Sequence, residues 1–201
     1  MPVLYILAGP NGTGKTTFYS IAAASGFIDK NLPFINVDIL TQNLGGYTEE
    51  NYIRASEIYR ETVKGFMESN ADFMIESNLA ESRSYEWISL LKRKNYQIIL
   101  YYLSTDDVLI NIGRVQRRVK EGGHDIAEGI IRSRYSQSHS YLKTKLSEFK
   151  EVYLIDNSND ASQVQVKLVD GVIVEKAVDL QNWVRNIISI NELLQSKRSG
   201  K

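Results

Sequence analysis

The chain has 201 residues, and its 24 Lys and Arg residues balance 24 Asp and Glu residues, so the formal net charge is zero. This balance argues against a general nucleic-acid or membrane-surface binder, because both need a basic excess. The sequence has no cysteine, which excludes disulfides and thiolate chemistry, and its two histidines argue against a zinc site.

The opening apolar run is too short for a signal peptide, and no stretch has the length of a membrane span. We therefore expect a cytoplasmic protein that partners neither nucleic acid nor membrane. The length predicts a single domain over residues 1–195, followed by a disordered tail over 196–201.

The first apolar run, Val3–Ala8, predicts a buried strand, and a helix is predicted from Thr16 onward. The residues between them match the phosphate-binding pattern G-x-x-x-x-G-K-[ST]. Glycines let such a loop approach a ligand closely, and backbone N–H groups at a helix N-terminus bind phosphate. The alternative is a tight glycine turn between a strand and a helix. The candidate ATP-binding residues here are Gly9, Pro10, Asn11, Gly12, Thr13, Gly14, Lys15, Thr16 and Thr17.

Four further apolar runs predict strands, at Phe34–Asp38, Phe73–Asn78, Gln97–Leu103 and Val152–Ile155. Helical patterns alternate with them, and Thr105 is expected to cap the helix after the fourth strand. This alternation predicts an α/β fold with a three-layer, doubly wound, mostly parallel five-stranded sheet.

In the last fifty residues the alternation of strands and helices ends. Two short β-type runs, Val164–Val169 and Val172–Ala177, flank Asp170-Gly171, which is a strong signal for a type I′ hairpin. A long helix is predicted before the fifth strand, over 127–149, and a last helix over Asp179–Gln195.

Three carboxylates, Asp38, Glu76 and Asp156, fall at predicted strand ends. Ligands of doubly wound sheets bind at this edge, so we expect all three on the side of the phosphate loop. Asp38 is placed to accept a proton from an attacking hydroxyl. The alternative is that Asp38 caps a helix that starts near Ile39.

Glu76 follows an apolar strand, which resembles the Walker B arrangement that positions Mg²⁺ or a water molecule. A second interpretation is that Glu76 contacts the substrate together with Ser77 and Asn78. A simple strand-end loop is the third, since Ser and Asn are common in turns.

Residues 114–134 hold five arginines and one lysine against three acidic residues. Arginines over a γ-phosphate neutralise transition-state charge, and the glycines at 122–123 would let the segment close as a lid. The alternative is a solvated helix face. The candidates here are Arg114, Arg118 and Arg134, and Asn157, after the fifth strand, is a further nucleotide-binding candidate.

Together these stretches resemble the zeta-toxin family, in particular its short branch often labelled predicted ABC-type ATPase. The matching stretches are GPNGTGKTTF at 9–18, INVD at 35–38, IESNL at 75–79, RVQRRVKEGGHDIAEGIIRSRY at 114–135 and IDNS at 155–158.

The resemblance implies a P-loop kinase-like fold and Mg²⁺- and ATP-dependent phosphorylation of a small-molecule hydroxyl. In longer members of the family the acceptor is UDP-N-acetylglucosamine and the partner is an antitoxin protein. By motif, Lys15 and Thr16 handle phosphates and Mg²⁺, and Asp38 is the general base. Glu76 lies in the acceptor pocket, and Arg118 and Arg134, then Arg114, stabilise charge.

This chain is shorter than those members, and its terminal hairpin and helix do not map onto them. The sugar-nucleotide pocket therefore does not carry over, and the acceptor could be another nucleotide, a sugar or a cofactor. Two other functions stay open. One is a metabolic kinase without toxicity, and the other is a nucleotide-gated binding module with little catalysis.

Overall fold

A computed structural model describes residues 1–189 of the chain. Its elements in chain order are β1 (Val3–Ala8), α1 (Lys15–Ala24), β2 (Phe34–Ile35), α2 (Val37–Asn43), α3 (Glu49–Ser69), β3 (Phe73–Ser77), α4 (Ser82–Arg93), β4 (Gln97–Ser104), α5 (Val108–Lys120), α6 (Glu128–Lys145), a 3₁₀ turn (Leu146–Glu148), β5 (Glu151–Asp156), β6 (Gln163–Val169), β7 (Val172–Lys176) and α7 (182–189). The predicted tail and the end of the last predicted helix lie outside the described residues.

One sheet of seven strands, in the order β2-β3-β1-β4-β5-β6-β7, organises the fold. Its first five strands in chain order are parallel, as predicted. Residues of β1 point alternately into two cores: Leu4 and Ile6 pack with α3, α4 and α6, whereas Leu7 packs with α1. Helices therefore cover both faces, which confirms the three-layer α/β fold.

The predicted hairpin is confirmed, and it continues the same sheet. β6 pairs antiparallel with β5, and β7 pairs antiparallel with β6. Asp170 and Gly171 at the turn have φ values of 50° and 75°, which is the left-handed geometry of a type I′ turn. The sheet therefore has seven strands, five of them parallel.

The prediction that the second strand runs through Asp38 is wrong. β2 ends at Ile35, and the side chain of Asn36 accepts hydrogen bonds from the backbone N–H groups of Asp38 and Ile39. Such a cap satisfies N–H groups that a helix start otherwise leaves unpaired. Asp38 therefore lies in the first turn of α2.

Two other helix boundaries also differ from the predictions. The N-cap of α5 is Asp107, whose carboxylate accepts from Leu109 N at 2.8 Å. Thr105, predicted as the cap, is fully buried and donates to Asn111 Oδ1 at 2.5 Å. α6 ends at Lys145, where a 3₁₀ turn replaces the last part of the predicted helix.

Helix α7 is anchored to the carboxyl ends of β4 and β5. The Asp106 carboxylate accepts from Asn182 N at 2.9 Å, and Asp156 Oδ1 accepts from the indole Nε1 of Trp183 at 3.0 Å. Asp156 is only 3% exposed. Asp156 therefore lies at the carboxyl end of β5, on the side of the phosphate loop as predicted, but α7 covers it and Trp183 takes up its carboxylate. No helix within residues 1–189 has the length and apolar character that a membrane span requires.

A half-buried imidazole lies beneath α7. His139 Nε2 is 2.7 Å from Ser104 Oγ, and its ring stacks on Trp183 with centroids 5.7 Å apart. Burial lowers the pKa of His139 to about 4. The folded protein therefore holds this ring neutral over a pH range in which the unfolded chain, with an ordinary histidine pKa of about 6.5, binds a proton.

We expect this difference to make folding pH-dependent. Proton binding by the unfolded state lowers the free energy of unfolding as the pH falls from 6.5 towards 4, by about 2 kcal/mol between pH 7 and pH 5. His139→Gln removes this contribution, and His124→Gln, at an exposed position, keeps it. Urea unfolding at both pH values measures the slope. Equal slopes in the two variants would contradict the prediction.

Candidate active site

The phosphate-binding pattern forms a loop between β1 and α1, as its context predicts. Gly9, Gly12 and Gly14 have φ values of 139°, 79° and 86°. A Cβ atom on Gly9 would overlap the carbonyl oxygen of Leu103, and one on Gly12 would overlap that of Asn111. Backbone strain and close packing therefore both require glycine at the first two positions.

Side chains from distant elements hold this loop. The amide of Asn111 donates to Asn11 O at 2.8 Å, and the amide of Asn157 donates to Thr13 O at 2.6 Å. The Arg134 guanidinium donates to Asn11 Oδ1 at 3.0 Å. These bonds use acceptors of the loop and leave the N–H groups at the start of α1 for an anion.

Lys15 is buried beneath the loop. It is 6% exposed, and its Nζ donates to Gly9 O at 2.8 Å and to Pro10 O at 3.1 Å. Glu76 Oε1 lies 3.6 Å from the same ammonium. Burial lowers the pKa of Lys15, and the Glu76 carboxylate opposes this shift. The ammonium thus neutralises an otherwise poorly solvated acid.

Glu76 connects the loop to helix α2. Its Oε2 accepts from Asn36 Nδ2 at 2.6 Å, while Asn36 also caps α2. Burial raises the pKa of Glu76, and Lys15 acts in the opposite direction. Asp38 follows the cap by two residues. The series of polar contacts Lys15–Glu76–Asn36 therefore fixes the backbone of Asp38 relative to the loop, while Asp38 itself is exposed.

A cleft of about 720 Å³ opens at this edge of the sheet. It brings together most of the predicted site residues, from five different parts of the chain. Those that line it are Asn11, Gly12, Gly14, Lys15, Thr16, Thr17, Asp38, Glu76, Arg114, Arg118 and Asn157.

Other predicted residues lie outside this cleft. Gly9, Pro10 and Thr13 support the loop from behind, and Thr13 is fully buried with its hydroxyl donating to Pro10 O at 3.0 Å. Asn78 accepts from Lys15 Nζ at 3.4 Å, and Ser77 O accepts from Gly9 N at 3.2 Å. These two residues therefore touch the phosphate loop, while Glu76 alone of the three faces the cleft.

The structure separates the arginines that the sequence grouped together. Arg114 lines the cleft and donates to Asn157 O at 2.8 Å, and Arg118 lines it and donates to His124 O at 2.8 Å. Arg134 contacts the loop through Asn11 but does not line the cleft. Arg132 pairs with Glu128 on the surface at 2.7 Å.

Two aromatic rings stack beside Asp38, and each follows directly after a pair of glycines. Tyr47 follows the pair at 45–46 and His124 follows the pair at 122–123, and their rings stack with centroids 4.6 Å apart. The Tyr47 hydroxyl donates to Asp38 O at 3.4 Å. The arginine-rich segment thus contacts the α2–α3 loop through His124.

Sequence reasoning missed Asn36 and Asn111 as site residues. Asn36 has the side chain of an N-cap and stands directly before a helix, which is a usable signal. Asn111 is fully buried on a helix face between Val108 and Ile112. A polar residue on a stripe that is otherwise apolar indicates a buried hydrogen-bond partner, here the loop.

The Thr16 hydroxyl is the group that fits a magnesium ion. Thr16 is exposed in the cleft, with the oxygen-bearing side chains of Asp38 and Glu76 along the same walls. Oxygen donors of this kind suit Mg²⁺, which is usually bound by one or two protein groups together with phosphates and water. Within residues 1–189, no cluster of three or more His, Cys, Asp or Glu residues could hold a metal ion.

A glycine loop at a helix N-terminus, a buried lysine and a cleft at the carboxyl edge of a parallel sheet define a P-loop nucleotide-binding protein of the kinase type. The sequence model of the family described as zeta toxin matches residues 1–174. The chain belongs to the zeta toxin family, and it is a phosphotransferase.

Individual relatives share sequence or fold with this chain. An uncharacterized protein of Haemophilus influenzae is 29% identical over 127 residues, which are 63% of this chain and 88% of that protein. A structure from the PezAT chromosomal toxin–antitoxin system of Streptococcus pneumoniae has a TM-score of 0.59 at 16% identity, covering 100% of this chain and 88% of that chain. The AvrRxo1-ORF1:-ORF2 complex with ATP has a TM-score of 0.64 at 16% identity. The match covers 98% of this chain and 63% of that chain.

We expect Arg134 to matter for nucleotide affinity. Arg134→Gln removes a charge-assisted hydrogen bond that orders the loop, which is worth about 2 kcal/mol, so the KM for ATP should rise at least about tenfold. Arg132→Gln, two residues away but on the surface, should change this KM less than about twofold. Steady-state kinetics measure both, and equal effects would exclude the positioning role of Arg134.

Proposed function

We propose that this protein transfers the γ-phosphate of ATP, with Mg²⁺, to a hydroxyl group of a small molecule, as the toxin of a toxin–antitoxin pair. One observation carries the catalytic part. A phosphate loop, an exposed carboxylate at Asp38 and two arginines, Arg114 and Arg118, line the same cleft. Phosphoryl transfer needs these components and little other protein chemistry.

The nucleotide would bind with its phosphates against the loop and the N-terminus of α1. Lys15 Nζ now donates to two loop carbonyls, and these bonds would be exchanged for oxygens of the β- and γ-phosphates. Thr16 would hold Mg²⁺ together with the phosphates, and the ion supplies charge neutralisation on them. Asn157, which borders the loop, is a candidate contact for the rest of the nucleotide.

Asp38 is the group that we assign as general base. Asp38 is exposed in the cleft, while Asn36, which Glu76 holds, accepts from its backbone N–H. The proton of the acceptor hydroxyl passes to the Asp38 carboxylate as the acceptor oxygen forms its bond to the γ-phosphorus. The bond from that phosphorus to the bridging oxygen breaks, and ADP leaves with the electron pair.

Arg114 and Arg118 would neutralise the charge on the transferring group. Both lie on one face of α5, at i and i+4, and both line the cleft. Arg118 also donates to His124 O at 2.8 Å, so a movement of the 121–127 loop would be coupled to it. This supports the interpretation of the arginine-rich segment as a lid.

The toxin assignment rests on family membership and on a structural neighbour from a chromosomal toxin–antitoxin system. A second neighbour, the AvrRxo1-ORF1:-ORF2 complex with ATP, supports ATP as the nucleotide. We extend to this chain the proposal of an antitoxin protein as partner. A sugar nucleotide such as UDP-N-acetylglucosamine is the acceptor that the family resemblance implies, and it belongs in any panel of acceptors.

The test is transfer from γ-labelled ATP with Mg²⁺ to a panel of sugar nucleotides, nucleotides and a bacterial metabolite extract. We expect a labelled small molecule, and we expect Asp38→Asn to lower its rate of formation by about 10²–10⁴-fold, because a general base is lost. ATP affinity should stay within about twofold. The matched control, Asp179→Asn, changes an exposed carboxylate outside the cleft and should retain full activity.

Two other results would redirect the assignment. ATP binding without any labelled product would overturn the kinase and favour a nucleotide-gated module. A labelled product without growth arrest, when the protein is expressed in a host that lacks an antitoxin, would favour a metabolic kinase.

A further inference from the structure

A second cavity, of about 460 Å³, lies between α3 and α4 and adjoins the phosphate-loop cleft. Glu76 lines both spaces, and Ser77 lines the second. A molecule in this cavity would therefore meet the same carboxylate that pairs with Lys15. The volume falls within the range of about 300–1,000 Å³ that is usual for small-molecule sites.

The inner surface of the cavity is apolar. Two half-buried aromatic rings, Tyr59 and Trp87, stand on its walls. Burial raises the pKa of Tyr59 to about 12, so its phenol is a neutral hydrogen-bond donor. The floor consists of side chains from β1, α3, β3, α4 and the loop between β3 and α4, namely Ile6, Val63, Met67, Ile75, Leu79 and Ile88.

The rim of the cavity is mainly basic. Arg60, Lys64 and Arg83 line it, against Glu81. Lys64 has an acidic partner on its own helix, Glu68, at 3.7 Å. Neither Arg60 nor Arg83 forms an ion pair with any other residue in the range 1–189. Two exposed guanidinium groups are thus available to an anion at the mouth of an apolar pocket.

We propose that this cavity binds the body of the acceptor, and that the acceptor is an alcohol with an apolar ring or chain and one anionic group, a carboxylate or a phosphate. This inference rests on the proposed kinase function. The apolar body would pack on the floor, the anion would meet Arg60 and Arg83, and the hydroxyl would point past Glu76 towards the phosphate loop.

The same lining disfavours a sugar nucleotide. The hydroxyl and amide groups of a sugar lose their water on entering an apolar pocket, and each unpaired group costs free energy. Here the floor offers them no hydrogen-bond partner. The cavity would therefore select an acceptor with an apolar body and one anionic group over UDP-N-acetylglucosamine.

The first test is binding without nucleotide, so that it does not depend on catalysis. Isothermal titration calorimetry of the full chain would compare 3-phenyllactate and 3-phenylpropyl phosphate as anionic probes. The comparators are neutral 3-phenyl-1,2-propanediol and UDP-N-acetylglucosamine. We expect at least one anionic probe to bind about tenfold more tightly than both comparators. Tighter binding of the sugar nucleotide would overturn the proposal.

Matched variants locate the binding. Arg60→Gln/Arg83→Gln should weaken the better anionic probe about tenfold or more and leave the neutral diol unchanged. The control is Arg54→Gln/Arg93→Gln. It removes two exposed arginines that lie on the same two helices but do not line the cavity, and it should have no effect.

A second pair of variants fills the cavity. Ser84→Phe, on the cavity wall, should abolish binding of both phenyl compounds. Ser82→Phe, two residues away and outside the cavity, should not. Equal effects of the members of either pair would overturn the assignment.

Transfer assays with the same compounds separate this inference from the kinase proposal. Binding of an anionic probe that the rim variant weakens, with no phosphate transfer to any compound, supports the cavity and counts against the kinase. Efficient transfer to UDP-N-acetylglucosamine that both double variants leave unchanged supports the kinase and overturns the cavity as the acceptor site. Transfer to a hydroxylated anionic probe with a KM that only Arg60→Gln/Arg83→Gln raises supports both.

Discussion

The buried contact between Lys15 and Glu76 is the interaction on which the rest of the site depends. The two groups lie 3.6 Å apart, with side chains 6% and 16% exposed. An isolated charge at this depth would be costly, so each group needs the other, and removing one partner leaves the other unpaired. Glu76 also takes the amide of Asn36, which starts the helix that carries Asp38. One chain of polar contacts therefore links the phosphate loop, strand β3 and the general base that we propose.

The loop itself is held by groups that lie far away in the sequence. Asn111, Arg134 and Asn157 reach it from α5, α6 and the end of β5, across 100 to 144 positions. Each bonds to an acceptor in residues 11–13, so the loop keeps its shape without using the N–H groups that would face phosphate. This arrangement prepares the site before a ligand arrives, which lowers the ordering cost of binding.

Glu76 also stands between two spaces of different character. The phosphate-loop cleft is lined by charged and polar side chains, whereas the neighbouring cavity between α3 and α4 is apolar with a basic rim. This division suits a transfer reaction in which a polyanionic donor and a less polar acceptor must meet at one point. The carboxylate that neutralises Lys15 in this structure is the point at which the two spaces adjoin.

The sequence by itself determined the parts that depend on neighbouring residues. The strand–loop–helix at residues 3–24 follows from a buried apolar run and from glycine torsions, and the hairpin follows from Asp170-Gly171. Even local signals failed where two competed, as at Asn36, where helix capping prevailed over an apolar strand pattern. Only the tertiary structure decided which polar groups meet. In the folded protein, Arg134 contacts the loop, whereas Arg132 lies on the surface. Helix α7 covers Asp156, and a cavity lies beside Glu76. The physical reason is that these contacts join residues far apart in the chain, and the packing of whole elements sets their distances.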